Sequence, residues 1–580
     1  MSTNELTVMI AGEAGQGVES TGRGFVRAIV RGGLHVFGVQ DYYSRIRGGH
    51  NFYQVRISEN ALHSHDERVH LLLAMNAAVI DRHLDEIVPD GGVIYDSALD
   101  VDEESLTARS LHAFPMPLEQ IALAEGGSKI MSNTAAIAAA AGVMGFGQES
   151  IDSVIGDNFK KKGAQVVDAN LKVARTAYQY AVDKYAALFP FKAQVRTAPT
   201  RMVIPSNDAL ALGAALAGCK FVAGYPMTPT TSILEWMAAR SQDYGIVLKH
   251  AEDEIAAMNM VIGAGHMGVR AMTATSGGGF SLMVEALGLA GMTETPVVIV
   301  LGQRPGPSTG LATRHEQGDL LFALYASQGE FPRIVLAPGT VEQCFEAGWR
   351  SFNLAEKYQC PVIIITDTFL VHSLRDLEMD ALDLNVPIER GDLLTDAQLD
   401  KLNERYKRHA FTDSGVSPRA IPGHPRAVYA VTSDEHDEYG QISEEASNRT
   451  QMMDKRMRKL EAAGAEMRGP IHYGVPDADL TFVVWGSAVA PLRSAVDILN
   501  ANGQSAELYQ IVDIWPFPSE LIAAALKDAK KLVCVEQNYT GQMATLLRAY
   551  ANVHVDGLIT KYDGRPMSPE YILRRLKEVA

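Results

Sequence analysis

From Leu6 a short apolar run, LTVMIAG, gives way to a glycine turn and then to apolar positions at helical spacing from Val18 to about Val30. That order predicts a strand, a turn and a helix. Further strand-like runs (HNFYQVRIS, VHLLLAM, GGVIYD) alternate with helical ones, and a long amphipathic stretch from Ala164 to about Ala187 closes the series. Residues 1–190 therefore read as one α/β domain. Residues 191–206 mix proline, aromatic and basic side chains without a period, as a linker over a surface does. The alternation then sharpens: NDALALGAALAGC, KFVAGYP, TSILEWMAAR, GIVLKHA, EIAAMNMVIGAG, VRAMTATS and PVVIVLG follow one another. Short continuous apolar runs separated by helical ones predict a parallel sheet with crossover helices over 207–375. Over 376–477 the period weakens into charged and proline-rich text, an irregular connecting region. It returns over 478–580 as a third α/β domain.

Composition narrows the class. The chain has 580 residues, 47% hydrophobic and 21% charged, enough to bury several cores and too apolar for disorder. Its 69 acidic against 52 basic side chains give a net charge of −17, which argues against a nucleic-acid or anionic-membrane partner. Cys219, Cys344, Cys360 and Cys534 lie far apart with no C-x-x-C pair, so no disulfide framework or metal cradle is encoded and a reducing cytoplasm is expected. The N-terminus has no basic region followed by an apolar core. The Ala-rich stretch from Asn133 to Gly145 is too short to span a bilayer.

Candidate chemistry sits on the turns. Gly12-Glu13-Ala14-Gly15-Gln16-Gly17 follows a strand and opens a helix, so its N–H groups suit either a phosphate or a plain tight turn. Ala14 stands where a dinucleotide fingerprint needs its second glycine. Ser44-Arg45-Ile46-Arg47-Gly48-Gly49-His50-Asn51 concentrates cations on a glycine hinge, which suits an anion or a solvated loop. After an apolar strand, Gly224-Tyr225-Pro226-Met227-Thr228-Pro229-Thr230-Thr231-Ser232 crowds hydroxyls at the start of the next helix, where one of them would serve as cap. Glu252-Asp253-Glu254 then leads into an apolar helix; the helix dipole explains acids there without any catalysis, and a buried carboxyl also suits a proton partner. Thr273-Ala274-Thr275-Ser276-Gly277-Gly278-Gly279 closes a strand with glycines that let a ligand approach the backbone. Arg304 leaves the strand VVIVLG and heads RPGPSTGLATRHEQGDL, either as a fork for a carboxylate or as a surface partner of Glu316. Lys455, Arg456, Arg458 and Lys459 lie on a helical pattern, as a solvated face or a grip for phosphates. Asp434-Glu435-His436-Asp437-Glu438 reads as a turn rather than a metal site, because consecutive side chains do not converge. Cys219 and Cys534 read as core residues.

Taken together, YPMTPTTS, AEDEIAAMNMVIGAG, TATSGGGFSLM and RPGPSTGLATRHEQGDL resemble the α subunit of 2-oxoacid:ferredoxin oxidoreductases, in the order that family keeps. GEAGQGV and SRIRGGHN resemble the γ domain fused in front of it in many members, notably 2-oxoglutarate enzymes. VWGS through CVEQNYTGQM resembles the family's transketolase-C-like domain. The resemblance implies a multi-domain α/β chain: a parallel-sheet thiamine-diphosphate-binding (Pyr-type) domain flanked by a γ-type and a transketolase-C-like domain. It also implies a 2-oxoacid decarboxylated on thiamine diphosphate, acyl transfer to coenzyme A, and electrons passed to ferredoxin. 2-Oxoglutarate is the expected substrate, with pyruvate or another 2-oxoacid as the alternative. The cofactor would be shared with a separate β subunit in an α2β2 assembly, with Mg2+ and a [4Fe-4S] cluster in β and no metal here.

On this resemblance Glu254 is the activating carboxyl. Thr228 and Arg304 hold the substrate carboxylate and Thr313 adds a second hydroxyl; Arg314 and His315 stand where the family often has smaller or different polar groups, and as cations beside Thr313 they are expected to meet the distal carboxylate. Tyr225, Pro226, Ser276 and Gly277 line the cofactor. Met227 stands where Ile is frequent and Gly278 where Pro is frequent. A stand-alone flavin or nicotinamide oxidoreductase built on the first glycine turn is the reading from another class, and a scaffold without activity is a third, opposed by intact Glu254, Thr228 and Arg304. Coenzyme A contacts from the γ-type domain or from Lys455–Lys459 are left open.

Overall fold

The computed structural model describes residues 3–45 and 48–579. Contact density divides the chain into two compact units: residues 1–204 with 372–381 and 568–571, and residues 205–371 with 382–567 and 572–580.

The first unit is built on β1 (Leu6–Ala14), β2 (His35–Asp41), β3 (Gly48–Ser58), β4 (Val69–Ala74), β5 (Ile87–Asp96), β6 (His112–Met116) and β7 (Arg201–Val203). Together with the strand Ser373–Glu378 they form one eight-stranded sheet in the order β6-β5-β4-β1-β3-β2-(373–378)-β7. The β1/β4, β4/β5 and β5/β6 pairs are parallel, and β3 runs antiparallel to β1 and β2. Apolar clusters cover it: one gathers Phe25, Ile29, Val55, Phe114 and the alanines of the helix Ser132–Met144, the other Met9, Leu72, Val93 and Leu106. Ser373–Glu378 falls at the junction between two expected domains. It joins this sheet because it pairs with β2 and because Asp376 accepts from Val36 N at 2.8 Å and from Arg201 Nη1 at 2.7 Å.

In the second unit β8 (Phe221–Gly224), β9 (Val247–His250), β10 (Ala271–Ser276), β11 (Val297–Gln303), β12 (Ile334–Leu336) and β13 (Pro361–Asp367) form a parallel sheet. Asp513–Trp515 adds an antiparallel strand beside β12, so the order is (513–515)-β12-β13-β11-β10-β8-β9. β10, β11 and β13 are buried throughout, as strands with helices on both faces must be. A second sheet carries Ile471–Gly474, Ala506–Ile511, Leu480–Trp485, Leu532–Glu536 and Gly557–Thr560, parallel except for the first. Trp485, Ile511 and Cys534 share a core with Ile299, Leu301 and Ile363. The connecting region is not wholly irregular: a 19-residue helix occupies Ala446–Gly464.

Candidate active site

The site lies at the carboxyl ends of β8, β10 and β11, where open parallel sheets bind ligands because the crossover helices leave a crevice there. After β8 the chain turns through Tyr225 and Pro226, both exposed, to Thr228. Thr230 occupies the cap position of the helix Thr231–Ala239 but makes no capping bond; its Oγ1 donates back to Met227 O at 3.0 Å. The hydroxyls therefore shape the turn instead of capping, and Asn207 Nδ2 fastens the turn by donating to Pro229 O at 3.0 Å.

Glu254 opens the helix Glu254–His266. The dipole argument alone would let it serve as cap, but Asp253 has that task, accepting from Ala256 N at 2.7 Å. Glu254 is left 3% exposed with Oε1 unpartnered. A buried polar atom without a partner costs free energy, so the position points to a group this chain does not supply. Facing it is the first turn of the helix Gly277–Met292, where a Cβ at Gly279 would stand 2.5 Å from Glu254 Oε1 and also overlap Thr275 Oγ1. Ser276 Oγ and Thr273 Oγ1 are likewise buried without partners. A bare glycine turn, unused hydroxyls and one waiting carboxyl fit a heterocycle with ring nitrogens.

Arg304 is half-buried at the end of β11, and its Nη1 donates to Thr228 O at 3.0 Å. The two expected substrate-carboxylate residues are thus brought together. Asp319, which the sequence reading did not single out, belongs to the same rim. Its N–H donates to Gln303 Oε1 at 2.9 Å, and a Cβ on Gly277 would stand 2.5 Å from its Oδ2. Burial pushes its carboxyl up to about 6, with Arg304 drawing it back. Glu316 is also pushed up, by burial and then by Asp319.

Thr313 is half-buried on the same loop, and Arg314 lies behind it, 8% exposed. His315 is placed differently from the expectation of a cation. It is buried, its Nδ1 accepts from Phe369 N at 3.2 Å, and desolvation lowers its pKa although Asp367 stands 3.5 Å away. The ring is therefore a buried neutral imidazole rather than the expected cation. Gln317 then ties the loop to both sheets: its N–H donates to Gln537 O, just past the C-terminal strand Leu532–Glu536, at 2.7 Å, and its Nε2 to Asp367 Oδ2 at the end of β13 at 3.1 Å.

The basic run is a correction to both readings offered for it. Lys455, Arg456 and Lys459 are buried, so they form neither a solvated face nor a grip for phosphates. Lys455 Nζ reaches Glu294 Oε1 at 2.5 Å and Lys459 binds its other oxygen. Arg456 pairs with Glu435 at 2.6 Å, and Arg458 Nη1 donates to Thr412 O at 3.0 Å. The 434–438 segment supplies that partner rather than a metal site. In the first unit the glycine turn borders a cavity of about 320 Å3 whose lining includes Asp96 and Glu119, carboxylates that disfavour a phosphate. Ile46 and Arg47 of the cationic loop lie outside the described residues. All four cysteines are buried and free, and burial raises each thiol pKa. Among the described residues no group of three His, Cys, Asp or Glu converges on a metal position, and no helix is long and apolar enough to cross a membrane.

Comparison with known proteins gives this geometry a family. Residues 212–455 match the model of pyruvate flavodoxin/ferredoxin oxidoreductase, thiamine-diphosphate-binding. Residues 7–180 match that of pyruvate ferredoxin/flavodoxin oxidoreductase, and residues 478–572 that of pyruvate:ferredoxin oxidoreductase core domain II. A 2-oxoacid:ferredoxin oxidoreductase subunit alpha from Sulfolobus sp is 32% identical, covering 97% of this chain and 95% of that one. The 2-oxoglutarate synthase subunit KorA of Methanothermobacter marburgensis is 34% identical over 64% of this chain and 97% of its own. Among solved structures, the 2-oxoglutarate:ferredoxin oxidoreductase from Magnetococcus marinus with 2-oxoglutarate, coenzyme A and succinyl-CoA bound is 32% identical. It covers 100% of both chains with a TM-score of 0.91. The chain belongs to the 2-oxoacid:ferredoxin oxidoreductase family, as an alpha subunit that carries the family's thiamine-diphosphate-binding domain.

Proposed function

We propose that this chain, joined to a separate β subunit, catalyses the coenzyme A-dependent oxidative decarboxylation of 2-oxoglutarate to succinyl-CoA and passes the electrons to ferredoxin. The observation that carries the reading is the unpartnered, buried Oε1 of Glu254 above the Gly277–Gly279 turn, with Arg304 and Thr228 on the same rim. Bound thiamine diphosphate supplies a carbon nucleophile and electron sink, which no side chain offers. Glu254, Ser276, Gly277, Tyr225 and Pro226 would hold its ring. Glu254 Oε1 keeps a proton shared with a ring nitrogen, and the burial of its side chain, 3% exposed, keeps water from that bond. Arg304 orients the substrate carboxylate with its guanidinium, while Thr228 and Thr313 add hydroxyl direction. Arg314 is retained as the cation for a distal carboxylate, acting from behind Thr313.

Mg2+ and a [4Fe-4S] cluster are assigned to the β subunit, which is supported by four separately buried thiols in this one. An α2β2 assembly in the cytoplasm completes the proposal. Support for 2-oxoglutarate is the whole-chain likeness to the Magnetococcus marinus enzyme; the pyruvate descriptions of the family models favour pyruvate as a second reading. Co-expression with the β partner, then anaerobic viologen reduction across 2-oxoglutarate, pyruvate and branched-chain 2-oxoacids with coenzyme A, tests both. Highest kcat/KM on 2-oxoglutarate is expected, and a preference for pyruvate would replace the first reading with the second.

A further inference from the structure

The rim holds one carboxyl that the proposed chemistry does not use. Asp319 heads the helix Leu320–Tyr325 yet makes no capping bond with its side chain. Its backbone is pinned by Gln303, the residue before Arg304, and its Oδ2 lies against the bare Cα of Gly277. It is therefore a fixed carboxyl, with no side-chain hydrogen bond among the described residues, at the mouth that receives a 2-oxoacid. The charged groups that act on it are few. Arg304 faces it from β11, and Glu316 sits on its own loop with a carboxyl that also prefers its proton. Glu254 lies against the same glycine turn, two residues along at Gly279. From the helix Gln542–Ala551 only a neutral amide is presented, Gln542 bonding Gly318 O and Leu321 N.

A substrate carboxylate arriving at Arg304 adds a negative charge next to Asp319 in a water-poor setting, where like charges disfavour one another strongly. We propose that Asp319 is a positioning residue that holds a proton whenever a 2-oxoacid carboxylate docks on Arg304, so that substrate binding takes up a proton at Asp319. Ionised, Asp319 repels the arriving carboxylate; protonated, it removes that repulsion at the place where Arg304 makes its fork. This deepens the reading above and rests on it, because the ligand is a 2-oxoacid held by Arg304.

The sign follows from linkage. With the free carboxyl near 6, affinity is flat below about pH 6, where Asp319 already carries its proton. Above that it weakens by up to about tenfold per pH unit, because each binding event must capture a proton. The test uses the assembled enzyme with its β subunit, loaded with a thiamine diphosphate analogue whose reactive carbon is blocked. 2-Oxoglutarate is titrated calorimetrically between pH 6 and 8 in buffers of different ionisation enthalpy. The native enzyme should take up close to one proton near pH 8, Asp319→Asn should take up none and bind up to about a hundredfold more tightly there, and Asp319→Glu should restore the slope. Equal proton uptake in the native and Asn enzymes, with both binding 2-oxoglutarate, would overturn the role of Asp319 alone. Failure of every form to bind or oxidise any 2-oxoacid would overturn the functional reading together with it.

Discussion

The carboxyl of Glu254 occupies the space that any side chain at residue 279 would need: a Cβ built on Gly279 would stand 2.5 Å from Glu254 Oε1. The glycine is required there for close approach, since its backbone φ is an ordinary one, and the two residues form a single device. Gly279→Ala should push the Glu254 carboxyl off its line. A tenfold or larger loss of thiamine diphosphate affinity is expected, read by near-ultraviolet circular dichroism of the assembled enzyme. Native affinity would mean that the Gly279 turn does not set the position of Glu254.

Glu254 also trades stability for activity. Its Oε1 is buried with no partner, so an apolar replacement of similar length relieves a desolvation cost of about 1 kcal/mol or more. Glu254→Met should therefore raise the urea midpoint of the cofactor-free chain. Glu254→Gln, which keeps the shape, should lower kcat by about 10²–10⁴-fold on every 2-oxoacid, the range expected for a lost proton partner. A glutamine enzyme of native turnover would contradict the proton-sharing role.

Much of this site is legible in the sequence because its residues sit on turns with unusual chemistry. YPMTPT, TSGGG and the arginine after VVIVLG mark the carboxyl ends of β8, β10 and β11, and the apolar runs between them fix the parallel sheet. Asp319 was missed because an acid before a helix has an ordinary explanation in capping, and only the structure shows the cap unused. His315 misled for the converse reason. A histidine beside an arginine looks like a cation until Phe369 N is seen to donate to its Nδ1 and burial to lower its pKa. The strand Ser373–Glu378 was illegible as part of the first sheet because its partner β2 lies more than three hundred residues away.

The Lys455–Lys459 run carries the same lesson into energetics. On sequence alone a basic stripe belongs in solvent, yet Glu294, fully buried after the helix Gly277–Met292, gathers Lys455, Lys459 and His409 Nδ1 at 2.9 Å. Burial lowers Lys455 to about 7 despite that partner, and the cations hold Glu294 well below its usual range. Such a cluster fastens the helix Ala446–Gly464 only while complete. Glu294→Ala should cost about 3–5 kcal/mol by leaving two buried ammonium groups unpaired. The triple change of Glu294, Lys455 and Lys459 to Leu or Met should recover most of that. Urea unfolding of the three proteins decides it, and an additive triple loss would show that packing rather than charge pairing holds the helix.

His372 supplies a pH dependence with a definite sign. It is half-buried in the first unit with Nε2 3.2 Å from Tyr42 Oη, and desolvation lowers it from the ordinary 6.5 to about 4. The folded chain therefore holds the ring neutral, while the unfolded chain binds a proton below about 6.5. Between those values the unfolded state carries the extra proton, so stability falls with falling pH by about 1.4 kcal/mol per unit from this group. His70, also lowered to about 4, and His409, lowered to about 3, act in the same direction. His372→Gln keeps a polar side chain for Tyr42 and removes the titration. Its urea midpoints between pH 7 and 5 should decline less steeply than those of the native chain, by about one proton's worth of slope. Parallel declines would mean that His372 is protonated in the folded state, with water or a rearranged Tyr42 reaching it.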